Sequence, residues 1–72
     1  MKKYDIDLSR SELNELIDEW IFNERDRQIL KRRLLDGICY EPLAEEFDLS
    51  VRHIKTIVYQ GIQRLVTKIE YK

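Results

Sequence analysis

Arg52, His53, Thr56, Tyr59, Gln60 and Gln63 recur at spacings that put them on one side of a helix, opposite Ile54, Val58, Ile62, Leu65 and Ile69. Lys55 adds a cation to the same run. An ordinary solvated face interleaves Glu with Lys, whereas this one carries amides, hydroxyls, an imidazole and cations, and its helix has no carboxylate before Glu70. Arginine and amide groups suit base edges, and cations and hydroxyls suit phosphate oxygens. The chemistry these residues point to is recognition of a double-stranded nucleic acid, and bond making is poorly supported. With one His, one Cys and two Gly in 72 residues, no nucleophile with its base, no phosphate loop and no metal cluster can be assembled. No cofactor is expected. Glu45 and Glu46 are adjacent, so on a helix they do not face each other as a catalytic pair.

Several elements must position that face. The stretch 41–65 reads as two helices joined by a tight turn. Pro42 suits a first helical position, Leu43, Ala44 and Phe47 follow at helical spacing, and Asp48 ends the helix in a conformation that Asp visits more readily than most residues. Ser50 is placed to cap the helix that begins at Val51. Upstream, Ser9 with Glu12 matches a capping box and Leu8 with Leu13 a hydrophobic staple. Leu13, Leu16, Ile17, Trp20 and Ile21 form the buried stripe of that first helix. Asn23 opens a second helix, with Asp26 in its first turn, Ile29, Leu30 and Leu34 inward, Lys31, Arg32 and Arg33 near its C-terminal end and Gly37 as its stop. Met1 to Asp7 reads as a frayed lead-in. Four helices are expected, near 10–22, 24–36, 42–47 and 51–69, with no strand. The fold class is all-α: one small domain over 1–72, with supporting helices in 9–36 and a C-terminal helix-turn-helix.

Composition bounds the setting. No stretch approaches a membrane span or a signal peptide, so a cytoplasmic protein without membrane contact is expected. Cys39 is alone, so no internal disulfide forms, and its expected role is that of a small buried apolar side chain. The formal charge of −1 is not the basic balance of a DNA-coating protein, yet it is polarised. Residues 51–72 hold five cations against Glu70 alone, +4, whereas residues 1–50 hold eight cations against thirteen carboxylates, −5. Affinity for DNA should therefore be modest and salt-sensitive.

From Asn23 to about Leu65 the chain resembles the fourth conserved region of sigma-70 type bacterial sigma factors. Glu24, Arg25, Ile29, Leu30 and Gly37 match in the lead-in, Glu41 and Ala44 in the first motif helix, Phe47-Asp48-Leu49-Ser50 through the turn, and Ile54, Ile57, Gly61, Ile62 and Leu65 beyond it. The resemblance implies a helix in the major groove and an arginine, here Arg33, at the DNA backbone. It also implies transcription regulation in a bacterial or phage setting, RNA polymerase as a further partner, and a stand-alone regulator or one half of a split factor. At the start of the reading helix Val51 and Arg52 replace the family's arginine and glutamate, and Thr56 replaces a glutamine. An arginine prefers guanine where a carboxylate accepts from cytosine, so the same DNA sequence should not be recognised.

Arg52 suits guanine or phosphate, with plain solvation the bland alternative. His53 has no second ligand at metal spacing, and a polar contact to DNA competes with exposure. Val51 suits a thymine methyl or ordinary packing, and Tyr59 a stack on the neighbouring helix or the sugar-phosphate chain. Trp20, Ile21 and Phe22 are consecutive and cannot all enter one small core, so Trp20 and Phe22 are a candidate partner surface. Docking on RNA polymerase or another regulator is the main alternative function. A homodimer on paired half-sites is equally open, and a structural piece of a phage or mobile-element assembly is the weakest reading.

Overall fold

The computed structural model describes residues 9–70, which form α1 (Arg10–Trp20), α2 (Glu24–Leu34), α3 (Tyr40–Phe47) and α4 (Val51–Glu70). No strand occurs among them. The Leu8 half of the expected staple, the Met1 to Asp7 lead-in and the Ile69 end of the α4 stripe lie outside the described backbone or side chains.

Local chemistry sets each boundary. Ser9 Oγ accepts from the Glu12 amide at 3.2 Å while Glu12 Oε1 accepts from the Ser9 amide at 3.1 Å, the reciprocal pair of a capping box. Asn23 Oδ1 accepts from the Asp26 amide at 3.2 Å and opens α2. Gly37, at φ 71, turns the chain out of α2, where the Ile38 amide returns to the Arg32 carbonyl at 3.1 Å. At the end of α3 Asp48 adopts φ 57, ψ 46. There the Leu49 amide reaches the Ala44 carbonyl at 2.9 Å and the Asp48 amide reaches Glu45 at 3.4 Å, the paired bonds of a Schellman turn. Ser50 Oγ accepts from the His53 amide at 3.0 Å and caps α4.

Three expectations are corrected. The first helix ends at Trp20 and not at residue 22, because Ile21 is extended at φ −104, ψ 107. That bend sends Ile21 into the core and leaves Phe22 outside, 72% exposed, with Trp20 half-buried between them. The third helix starts at Tyr40, so Pro42 is its third residue; this is still within the first turn, where no backbone donor is needed. Cys39 is exposed, at the N-cap of α3, and is not a buried apolar filler.

One core lies among the four helices. Ile17, Ile29, Leu30, Leu43, Ile54, Val58 and Leu65 are its fully buried side chains, and no polar or charged side chain is buried among the described residues. Helix α4 touches each of the other three helices. At 20 residues it runs roughly 30 Å, close to the 35 Å length of the molecule. Gly61 is the point of closest approach: a Cβ built there would lie 2.5 Å from Leu30 Cδ1. The absence of that atom lets α2 lie directly on α4. Ion pairs tie the periphery, Lys31 to Asp18 across α1–α2 and Arg32 to Glu46 across α2–α3, each at 2.7 Å.

Candidate nucleic-acid interface

Because Ile54, Ile57, Val58, Gly61, Ile62 and Leu65 turn inward, the opposite side of α4 has to face out, and Arg52, His53, Lys55, Thr56, Tyr59, Gln60 and Gln63 are all exposed. The Schellman turn at Asp48 and the Ser50 cap set the angle at which α4 leaves α3, and the first two turns of α4 bury Ile54, Ile57 and Val58 while their other side stays exposed.

The expected site residues divide into groups. The side chains of Arg52 and His53, in the first turn of α4, are exposed and make no hydrogen bond or ion pair with another described residue. Thr56 is exposed, but its Oγ1 donates to the Arg52 carbonyl at 3.1 Å, which leaves its oxygen lone pairs and its methyl for a ligand. Val51 is half-buried against the core, which is packing, one of its two expected roles. Ser50 Oγ is taken up by the cap. Tyr59 is 42% exposed on the outward side. Gln60 sits further round, lining a cleft of about 470 Å³ with Trp20, Phe22, Asn23 and Arg64, so it borders the α1–α2 corner as well as the outward face.

Arg33 lies at the foot of this face. Its Nη1 donates to the Ile38 carbonyl at 3.2 Å, and its Cζ stands 4.5 Å from the centroid of the Tyr40 ring. Lys55 approaches the same ring, Nζ at 5.5 Å. Tyr40 was not legible as a site residue, because Pro42 drew the expected helix start past it.

The basic end of the chain is split in two. Arg52 and Lys55 belong to the first two turns of α4, while Arg64 and Lys68 lie over aromatic rings on the α1 side. Arg64 Cζ lies 5.8 Å from the Phe22 ring, and its Nη1 donates to the Trp20 carbonyl at 3.3 Å; Lys68 Nζ lies 4.4 Å from the Trp20 ring. Helix α1 has no basic residue in its last turn, so Arg64 supplies from a distant part of the chain the cation that a helix C-terminus favours. A second cleft, about 450 Å³, runs beside Phe22 between Trp20, Gln63, Thr67 and Lys68. Among the described residues no group of His, Cys, Asp and Glu is arranged to hold a metal ion, and no helix is long and apolar enough to cross a membrane.

The family model described as sigma-70, region 4 matches residues 22–66, more than half of the chain. No curated protein and no solved structure matches it.

Proposed function

The chain belongs to the sigma-70 region 4 family, a family of DNA-binding helix-turn-helix domains in transcription regulation, and from that premise we propose that it binds duplex DNA sequence-specifically through α4. The observation that carries the reading is the exposed outer face of the first turns of α4, where Arg52 stands solvent-exposed on a helix side without carboxylates. A helix presented this way fits the major groove, which is wide enough for it and carries a distinct donor and acceptor pattern for each base pair. Helix α3 then crosses the backbone, Arg52, Lys55 and Thr56 lie near base edges, and His53, Tyr59, Gln60 and Arg33 position the duplex. The residues 1–72 act as a single domain, and its role is that of a transcription regulator.

The test is binding of the chain to duplex DNA at several salt concentrations, with targets selected from random sequence. Affinity should fall as salt rises, because cations on the protein displace counterions. Arg52→Ala should weaken binding to the selected site by roughly ten-fold or more, about the discrimination that one bidentate guanine contact supplies. No affinity at low salt, or no effect of Arg52→Ala, refutes the reading.

A second reading has its own observation. Phe22 is 72% exposed between two clefts and beside half-buried Trp20, an apolar edge that Arg64 and Lys68 only flank. Under that reading the domain docks through Trp20 and Phe22 on RNA polymerase or another regulator. Partner binding would then depend on Phe22 and be indifferent to Arg52.

A further inference from the structure

Tyr40 opens α3 and is half-buried, its side chain packed on the core. Two cations converge on its ring, Arg33 from α2 at 4.5 Å and Lys55 from α4 at 5.5 Å. Both distances run to one centroid, which bounds the separation of the two charges at 10 Å. Three other cations of the bundle pair with carboxylates: Lys31 with Asp18, Arg32 with Glu46 and Arg10 with Asp36. Within the run Lys31 to Arg33, two side chains take a carboxylate and the third turns to an aromatic face. Neither Arg33 nor Lys55 pairs with a carboxylate among the described residues. An aromatic face attracts a cation through its quadrupole but carries no net charge, so the ring gathers two positive charges and cancels neither.

We propose that Tyr40 is a positioning residue for the phosphate backbone: its ring holds the Arg33 guanidinium and the Lys55 ammonium together as one clamp. This rests on the reading of α4 as the DNA-contacting helix, and deepens it by moving Lys55 from the base edges to the backbone and coupling it to Arg33. A strand of B-DNA carries one phosphate per about 3.4 Å of axis, so a clamp of this span meets a single phosphate or a few neighbours on one strand. Both long side chains are partly ordered by the ring before the duplex arrives, which lowers the entropic cost of engaging it.

The test is the salt dependence of binding of the full chain to a random-sequence duplex, measured for the wild type, Tyr40→Phe, Tyr40→Leu, Lys55→Gln, the Tyr40→Leu/Lys55→Gln double variant and Arg52→Ala. Each phosphate contact contributes about 0.9 to the slope of log affinity against log salt. Tyr40→Phe keeps the ring and should keep the wild-type slope. Tyr40→Leu keeps apolar bulk without the ring, and should show a slope shallower by about one and roughly five-fold weaker binding at low salt. Adding Lys55→Gln to Tyr40→Leu should then cost less than Lys55→Gln costs alone. A ring that only packs would lower the thermal midpoint and leave the slope of the folded chain unchanged. That result, with Arg52→Ala still weakening binding to the selected site, overturns the clamp and leaves the DNA reading standing. A wild type with no salt-sensitive binding overturns both. Should Tyr40→Leu fail to fold, the Arg33 Nε–Hε and Tyr40 ring resonances of the wild type decide the matter: they should shift together on adding duplex, and unmoved resonances overturn the clamp.

Discussion

Asp48 and Ser50 stand two positions apart and do different work in aiming α4. Asp48 holds φ 57, a region that costs a β-branched residue far more than it costs Asp, Asn or Gly. Asp48→Ile should therefore lower stability by about 1–3 kcal/mol, and Asp48→Gly by much less, as read from urea unfolding of the two variants side by side. Ser50→Ala removes the acceptor of the His53 amide and should cost about 1 kcal/mol in the same assay. Both positions were readable from residue type alone, because a left-handed corner and an N-cap are local requirements. Tyr40 and Cys39 were not, because each depends on where the neighbouring helices pass. Phe22 separates the two functional readings at this scale. Being 72% exposed, Phe22→Ser should leave the thermal midpoint nearly unchanged and DNA affinity intact, whereas Ile21→Ala next door should destabilise by about 2–5 kcal/mol.

The decisive packing among helices is α2 on α4. Alanine is worth about 1 kcal/mol over glycine inside a helix, so Gly61→Ala would stabilise an isolated α4. In the folded protein the added Cβ would lie 2.5 and 2.8 Å from the two methyl carbons of Leu30, which is fully buried and would have to shift. Overpacking of this kind costs roughly 1–3 kcal/mol, so the net effect should be destabilising, and the double variant with Leu30→Ala should lose less than the sum of the two single losses. Chemical denaturation of the single and double variants checks this. Helix boundaries followed the same division. Those marked by Ser9, Asn23 and Ser50 were found where expected, since a cap declares itself in sequence. The end of α1 was not, since Ile21 leaves the helix to fill the core, and no breaker residue announces that.

For the molecule as a whole, net charge is a poor guide and its layout a good one. The sum of −1 conceals a start of α4 where Arg52 and Lys55 pair with no carboxylate among the described residues and a later part where Arg64 and Lys68 lie over the Phe22 and Trp20 rings. Replacing Arg64 and Lys68 by Gln should therefore leave the salt slope of DNA binding close to that of the wild type, while replacing Arg33 and Lys55 should reduce it by about two. Titrations of the two double variants against one duplex test that contrast. Equal slope changes would mean that the duplex tracks the full length of α4.

Periodicity and capping residues were enough to reveal four helices, a corner at Asp48 and an exposed polar side of α4, because amphipathic spacing and cap chemistry act over a few neighbouring residues. Which cations are neutralised, which ring gathers Arg33 and Lys55, and which of Trp20, Ile21 and Phe22 stays outside depend on contacts between side chains far apart in the chain. Such contacts exist only once α1, α2 and α3 have closed on α4, so they could be settled in three dimensions alone.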